Sequence, residues 1–179
     1  MTRKNSNAPV TRRTFVKTST ASAATLAGLT FAAGSRVHAA ESDKLRVGLL
    51  GCGGRGAGAA ANILRAAENI EIYALADLFE DKLDRARKLI EGQADKADLP
   101  KGASVQIAPE RMFSGFDGYE QLLQTDIDIV LLCCPPGFRA RHLKAAVKAG
   151  KHVFMEKPGG VDPVGVRSLI ECSELAEQK

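Results

Sequence analysis

The sequence predicts an α/β fold built on a Rossmann-type, doubly wound parallel sheet. Short apolar runs alternate with amphipathic stretches from residue 45 onward, which is the pattern of successive βαβ units. The first apolar run, Leu45–Leu50, leads directly into a Gly-x-Gly-x-x-Gly turn, and an alanine-rich helical stretch follows at residues 57–67. Strand, glycine turn and helix stand in the order that a dinucleotide site requires.

The glycine turn at residues 51–56 supplies the first candidate site residues. Gly51 can adopt the backbone conformation of a tight turn, Gly53 leaves room for a pyrophosphate, and Gly56 lets the helix pack close to the strand. The first helical amides and the helix dipole then attract the phosphates. Such turns also occur in ordinary loops, so the prediction needs support from the rest of the chain. The candidate dinucleotide-binding residues here are Gly51, Cys52, Gly53, Arg55 and Gly56.

Asp77 gives that support. It ends the second apolar run and lies 21 positions after Gly56. That is close to the spacing of roughly 20 residues expected of the acid that hydrogen-bonds the adenosine ribose. Asp77 could also be the N-cap of the next helix, and the two roles can coexist. A carboxylate repels a 2′-phosphate, and Leu78 and Phe79 offer no cation to bind one, so NAD is favoured over NADP.

The remaining elements continue the alternation. We expect strands within residues 104–113, 128–134 and 151–156, and helices at residues 80–92, 118–124 and 138–149. A last helix opens with Asp162 as N-cap and Pro163 at the first helical position. The predicted sheet has order 3-2-1-4-5-6 but is truncated after the fifth strand and the following helix, which leaves the fifth strand as a bare edge.

Helical spacing also assigns the buried faces of two helices. Lys82 is expected on the solvent side of the second helix. The residues expected to face inward are Leu83, Ala86, Leu89 and Ile90 in the second helix, and Val166, Leu169 and Ile170 in the last.

The N-terminus predicts export. Arg12 and Arg13 precede a weakly apolar stretch at residues 18–33, and small residues surround a cleavage site near Ala39, as in a twin-arginine signal peptide. The alternative is a retained membrane anchor, but about 16 weakly apolar residues fall short of the roughly 20 that span a bilayer. The predicted division is a signal peptide at residues 1–39 and a dinucleotide-binding domain at residues 40–179, with a periplasmic or other extracytoplasmic location.

Charge and length bound the mature chain. The first 39 residues hold six basic side chains and no acidic one, so 19 basic and 21 acidic residues remain and the formal charge becomes −2. Neither nucleic acid nor an anionic membrane is a natural partner for such a chain. The 140 remaining residues suffice for one small domain, and the chain stops inside a helical pattern. We therefore expect an incomplete domain from a longer protein.

A specific resemblance is carried by two stretches. Cys134, Pro135 and Pro136 begin the first, which extends to residue 142, and the second reads Ala-Gly-Lys-His-Val-Phe-Met-Glu-Lys-Pro at residues 149–158. Together they resemble the glucose-fructose oxidoreductase, inositol dehydrogenase and rhizopine-catabolism (Gfo/Idh/MocA) family over about residues 45–179. Members have a Rossmann domain followed by a second α/β domain, absent here, which supplies much of the substrate pocket and the dimer contact.

The resemblance implies roles for further residues. Lys157 would be catalytic, beside the nicotinamide and hydrogen-bonded to the substrate hydroxyl or carbonyl; its alternative is a surface lysine before a turn. Glu156 would orient Lys157 or cap the strand end. Pro135 and Pro136, with Cys134, would run past the nicotinamide ribose, and Pro158 would fix a turn, with a cis peptide as in family structures. A small carbohydrate-like substrate and a homo-oligomer are implied for the full-length protein.

The cysteines and histidines carry weaker signals. No Cys-x-x-Cys spacing occurs, so no metal site is predicted. Because strands one and four are neighbours in the expected order, Cys52 could approach Cys134, although buried free thiols are the simpler interpretation. His142 is interpreted as a packed helix residue and His152 as a structural strand residue.

Three functions remain open. The first is the dinucleotide-binding part of an exported NAD-dependent oxidoreductase that acts on a sugar, polyol or related hydroxyl compound by hydride transfer. The second is the NAD-dependent glycosidase branch of the same family, which the resemblance associates with departure from lysine at position 157. The third is a nucleotide-binding fragment without catalysis, because no counterpart of the family's further catalytic residues is present.

Overall fold

A computed structural model describes residues 44–178, which form six strands, five α-helices and one short 3-10 helix. The strands are β1 (Leu45–Leu50), β2 (Ile70–Asp77), β3 (Ser104–Val105), β4 (Met112–Ser114), β5 (Ile129–Leu132) and β6 (His152–Met155). The helices are α1 (Gly54–Ala66), α2 (Glu80–Ala94), α3 (Gly118–Gln124), α4 (Pro136–Lys148) and α5 (Pro163–Glu177). Residues 1–39, with the twin-arginine pattern and its export prediction, lie outside the described residues.

The strands form one parallel sheet in the order β3–β2–β1–β5–β6, which confirms the predicted Rossmann arrangement. The third predicted strand is the one that differs, because it is split into β3 and β4, and both pieces pair with β2. Between them Pro109 begins a 3-10 helix that ends at Arg111. A proline has no N–H to donate to a strand ladder, which accounts for a break in this part of the chain.

Side chains alternate between the two faces of the sheet and build two cores. Helices α1 and α2 cover one face, where Val47 and Leu49 of β1 are fully buried. Helices α3, α4 and α5 cover the other face, which receives Leu50 of β1 and Val130 of β5. This alternation is the strand period of two, and it leaves the carboxyl ends of the strands as the uncovered edge at which ligands bind in such sheets.

Three apolar residues predicted to face inward are instead exposed. Leu89 of α2 is 50% exposed, and Val166 and Ile170 of α5 are 44% and 55% exposed. Only one side of α5 packs against the core, through Leu169 and the buried Cys172. Helical spacing identifies which residues share a face, but the width of the buried stripe depends on how many neighbours the helix meets.

Local signals predicted the start of α5 and the edge of the sheet correctly. The Asp162 carboxylate caps α5 by accepting a hydrogen bond from Gly165 N at 2.7 Å. Strand β6 pairs only with β5 within residues 44–178, and its Phe154 is 51% exposed. His152 lies in this strand, as predicted, and donates from its backbone N to the Asp128 carbonyl oxygen at 2.9 Å, while its side chain is exposed. None of the helices in this part of the chain is long and apolar enough to cross a membrane.

Candidate dinucleotide site

The glycine turn has the backbone geometry that its sequence predicted. Gly51 has a φ of +99°, which side chains rarely tolerate, and a Cβ there would lie 2.4 Å from the Cys134 nitrogen. A Cβ on Gly56 would lie 1.9 Å from the Gly51 carbonyl oxygen, so α1 meets the turn only without a side chain. A Cβ on Gly53 would have no heavy atom within 4 Å. Two glycines therefore build the turn, and the third leaves open space beside it.

Helix α1 begins inside this turn. Gly53 is its N-cap residue, and the first intrahelical hydrogen bond runs from Ala57 N to the Gly53 carbonyl oxygen at 3.0 Å. The amides of residues 54–56 precede that bond, and the first turn contains no acidic side chain. Helix amides at such a position, with the positive end of the helix dipole, attract phosphate groups.

Asp77 links the end of β2 to the glycine turn. One carboxylate oxygen accepts a hydrogen bond from Cys52 N at 2.7 Å, and the other accepts one from Phe79 N at 3.0 Å. The N-cap residue of α2 is Phe79, so Asp77 does not cap that helix. Each carboxylate oxygen has two lone pairs, so both oxygens keep capacity for a ribose hydroxyl.

Eight of the eleven predicted site residues line a cavity of about 460 Å³ at the carboxyl ends of the central strands. This cavity is called the crevice below. Cys52, Gly56 and Pro136 do not line it; the first two are buried beneath the turn, and Pro136 begins α4. The predicted site residues that do line it are Gly51, Gly53, Arg55, Asp77, Cys134, Pro135, Glu156 and Lys157.

Lys157 and Glu156 follow β6 at the edge of the crevice. Lys157 is exposed, and none of the described residues forms a hydrogen bond or ion pair with its ammonium group. The Lys157–Pro158 peptide bond is cis, as the resemblance implied. The Glu156 carboxylate is 15% exposed and lies 3.6 Å from the Arg55 guanidinium, measured from Oε1 to Nε. Its partner in the structure is therefore Arg55 rather than Lys157.

Arg139 is a residue that sequence reasoning missed. It is 5% exposed, lines the crevice and forms no ion pair with the residues described. Its Nε donates to the Cys134 carbonyl oxygen at 2.9 Å, and its Nη1 donates to the Pro158 carbonyl oxygen. Arg139 thus joins the end of β5 to the turn that carries Lys157. Its position in the first turn of α4 was readable, but its burial was not.

Several other side chains line the crevice without having been predicted to do so. Lys82 of α2 is half-buried rather than on the solvent side, and it places a cation in the same cavity as Asp77. Three phenylalanines with exposed rings surround the opening and offer apolar surface to a flat ring system. They are Phe79, Phe116 and Phe138, which are 57%, 71% and 41% exposed.

The thiols near the crevice are free and protonated at neutral pH. Burial, with a smaller contribution from the charge of Glu156, raises the pKa of Cys133 to about 11, and burial also raises the pKa of Cys134 to about 11. Cys52 donates to the Ala76 carbonyl oxygen at 3.5 Å, and burial raises its pKa as well. The sulfur of Cys134 lies 3.3 Å from Nδ1 of His142. Cys52 and Cys134 are buried free thiols, which is the simpler of the two interpretations of the sequence, and Cys133 is half-buried.

His142 is a packed helix residue, as the sequence predicted, although it also lines the crevice. Its Nδ1 lies 3.3 Å from the Cys134 sulfur, and its ring centroid is 4.6 Å from that of Tyr119. Burial foremost, and the charge of Arg141, lower the pKa of His142 to about 4. The imidazole is therefore neutral at physiological pH.

The parallel sheet, the glycine turn with its helix N-terminus, and the carboxylate after the second strand define a dinucleotide-binding domain of the Rossmann class. Residues 45–179 match the Gfo/Idh/MocA oxidoreductase family, described by its NAD-binding Rossmann fold. The chain belongs to this family.

Named relatives and solved structures agree with this assignment. The chain is 34% identical over 133 residues to a glycosyl hydrolase family 109 protein from Solibacter usitatus, an alignment that covers 73% of this chain and 26% of that protein. It is similar to scyllo-inositol dehydrogenase from Lactobacillus casei, solved with NAD(H) and scyllo-inositol, at a TM-score of 0.52 and 25% identity over 75% of this chain and 33% of that one.

A second solved relative binds the other dinucleotide. A 3-ketoreductase from Actinomadura kijaniata, solved with NADP, matches at a TM-score of 0.52 and 25% identity, covering 76% of this chain and 36% of that one. The chain spans about a quarter to two-fifths of the length of the curated relatives it matches. Family and fold therefore establish a nicotinamide dinucleotide as the class of cofactor for this domain.

Proposed function

We propose that the chain is the dinucleotide-binding part of an exported NAD-dependent oxidoreductase that transfers a hydride from a sugar, polyol or related hydroxyl compound. The observation that carries the proposal is the position of Lys157. Its ammonium group has no partner among the described residues and lies at the edge of the crevice that the glycine turn and Asp77 also line. The substrate class is supported by the inositol dehydrogenase and 3-ketoreductase relatives.

The residues present fit a bound dinucleotide. The open space at Gly53 and the amides that begin α1 would hold the pyrophosphate, and the free lone pairs of Asp77 would accept hydrogen bonds from the adenosine ribose. We infer NAD rather than NADP because the Asp77 carboxylate repels a 2′-phosphate. Lys82 favours NADP instead, since it brings a cation to the same cavity, and one similar solved structure binds NADP.

The chemistry needs a proton acceptor beside the hydride acceptor. When bound, the dinucleotide supplies the nicotinamide ring that takes the hydride. As the C–H bond of the substrate breaks, the proton of its hydroxyl group must also leave. We infer that Lys157, which lines the crevice, would hydrogen-bond that oxygen; as a neutral amine it would take the proton, and in the reverse direction the resulting ammonium would return it.

The test uses the protein expressed from its complete reading frame, incubated with NAD and a panel of inositols, aldoses and sugar acids. We expect NADH to accumulate, followed at its absorbance, with at least one compound of the panel. Lys157→Met should lower kcat by about 100-fold or more while the Kd for NADH changes little, because one general acid–base group contributes about 10²–10⁴-fold. Full activity in Lys157→Met would refute the assignment. Lys144→Met, on the exposed side of α4, is the matched control.

A second candidate is an NAD-dependent glycosidase. It is favoured by the name of the curated relatives, which are glycosyl hydrolase family 109 proteins. The intact Glu-Lys-Pro sequence at residues 156–158 favours the oxidoreductase. Release of p-nitrophenol from p-nitrophenyl glycosides, without net accumulation of NADH, would support the glycosidase. If the folded protein binds NADH but shows neither activity, the third candidate, a non-catalytic nucleotide-binding chain, is the one supported.

We also propose export by the twin-arginine route and assembly of the whole protein into a homo-oligomer. The paired Arg12 and Arg13 and the small residues near Ala39 support export. A fusion to a reporter that folds before transport should reach the periplasm, and the same fusion with both arginines replaced by lysine should stay in the cytoplasm. Light scattering of the purified protein would measure the oligomeric state.

A further inference from the structure

An ion pair crosses the carboxyl end of the central strand β5. Arg55 lies in the first turn of α1, directly after β1, and Glu156 follows β6. In the sheet, β5 lies between β1 and β6, so the approach of Arg55 Nε to Glu156 Oε1 at 3.6 Å spans the end of β5. Burial is the main cause of the raised pKa of Cys133, the first residue after β5; the charge of Glu156 raises that pKa further and the charge of Arg55 lowers it. The pair therefore links the glycine turn after β1 to the segment after β6 across the crevice.

The two side chains differ in how firmly they are held. The Arg55 side chain is 70% exposed and forms no hydrogen bond with any described residue, so its five N–H donors are available. The Glu156 side chain is only 15% exposed, and its backbone N donates to the Leu132 carbonyl oxygen at 3.0 Å. A long exposed side chain loses conformational entropy when a ligand orders it. A mostly buried carboxylate that already lies 3.6 Å from the guanidinium reduces that loss.

We propose that Glu156 is a positioning residue for Arg55, holding its guanidinium across the crevice so that the remaining N–H groups contact the pyrophosphate of the bound dinucleotide. The inference rests on the proposed dinucleotide binding. Glu156 would then strengthen the binding of an anion, although a carboxylate by itself repels phosphate groups. A guanidinium can serve both partners, since its planar fork presents donors on more than one edge.

Two other roles for Glu156 predict different results. If the carboxylate only repels the phosphates, its removal tightens dinucleotide binding. If it acts through Lys157, its effect is confined to ligands that carry the nicotinamide. ADP-ribose keeps the pyrophosphate and lacks the nicotinamide, so it separates the second role from positioning of Arg55.

The experiment measures the dissociation rates of NADH and ADP-ribose by stopped flow, with the protein expressed from its complete reading frame. Glu156→Gln should speed dissociation of both ligands by about two- to fivefold, the range expected for an ion pair whose arginine is exposed to solvent. Arg55→Gln should have at least that effect, and the double variant should match Arg55→Gln alone. Glu156→Asp retains the charge but shortens the reach, and it should also speed dissociation. The effect should shrink as salt is raised.

Matched controls lie on α5, away from the crevice. Glu174→Gln and Arg167→Gln remove the same charges from exposed positions and should leave both rates unchanged. Slower or unchanged dissociation in Glu156→Gln, an unchanged rate in Glu156→Asp, or an effect absent with ADP-ribose would each overturn the inference, as would additive effects in the double variant. If the wild-type protein binds neither ligand, the proposed function fails and the inference fails with it.

Discussion

Replacing Gly53 by alanine puts a methyl group beside the glycine turn at little cost to the fold. A Cβ there would have no heavy atom within 4 Å, and the backbone, with φ of −71° and ψ of 179°, is accessible to any residue. Gly53 is the N-cap of α1, a position where alanine is less favourable than glycine by about 1 kcal/mol or less. The free energy of unfolding of Gly53→Ala should therefore fall by no more than about 1 kcal/mol.

The effect on dinucleotide binding should be much larger. The added methyl group occupies the space through which the pyrophosphate approaches the amides of α1. Displacing a phosphate oxygen by about 1 Å takes it out of hydrogen-bond range, and each charge-assisted hydrogen bond lost costs about 1.5–3 kcal/mol. Loss of one or two such bonds raises the Kd for NADH by roughly 10- to 1,000-fold or more.

Two companion variants make the test specific. In Gly56→Ala the new Cβ would lie 1.9 Å from the Gly51 carbonyl oxygen, so the backbone must move and stability should fall by about 3 kcal/mol or more. In Gly58→Ala the Cβ meets nothing within 4 Å inside α1, so stability should rise by about 0.5–1 kcal/mol with binding unchanged. Urea unfolding measures stability, and a fluorescence titration measures NADH binding. A wild-type Kd in folded Gly53→Ala would refute the placement of the pyrophosphate.

Four further outcomes are expected. Asp77→Asn weakens the hydrogen bond to the adenosine ribose, so the Kd for NADH should rise by about tenfold. It also removes the charge that repels a 2′-phosphate, so the Kd for NADPH should fall. Equal changes in the two Kd values would contradict the selectivity argument. Burial lowers the pKa of His142 to about 4 in the folded protein, below the value of about 6.5 expected in the unfolded chain. The contribution of the neutral imidazole to the free energy of unfolding is therefore complete above pH 6.5. It falls by up to about 3 kcal/mol as the pH drops from 6.5 toward 4. Urea unfolding across this range should show that slope in the wild type and a reduced slope in His142→Gln. Cys133 and Cys134, with pKa values of about 11, should react slowly with iodoacetamide at pH 7.5 and faster as the pH rises. Bound NAD should protect both thiols, because both line the crevice. Fast labelling at neutral pH would argue against protonated, partly buried thiols. Arg139→Met leaves two carbonyl oxygens without their donor and should destabilise the fold by about 2 kcal/mol, whereas Arg139→Lys, which can still reach one of them, should lose less.

Local pattern was sufficient wherever the physical cause is local. The turn at residues 51–56 was readable because a positive φ and a close backbone approach require glycine whatever surrounds them. Asp77 was readable because one βαβ unit has a nearly constant length. The cap at Asp162 depends only on the next three residues, and it formed as predicted.

Other features depended on neighbours that no local pattern names. The third strand is split because β3 and β4 each pair with a different part of β2, with Pro109 between them. Val166 and Ile170 have the spacing of inward residues, yet α5 meets too few neighbours in the described part of the chain to bury them. Lys82 has the spacing of a solvent-facing residue, yet it is half-buried and lines the crevice together with Gly115 and Phe116, which follow β4.

The sequence by itself determined the parallel α/β sheet, the glycine turn and the position of Asp77, because each is set by short-range spacing or by residue types that one conformation demands. Lys157 was predicted through the family resemblance alone. Only the tertiary structure decided which charges meet across the crevice. It paired Glu156 with Arg55, about a hundred positions apart, and buried Arg139 between Cys134 and Pro158. The physical reason is that parallel strands bring their carboxyl ends to one edge, so residues remote in the chain become neighbours there.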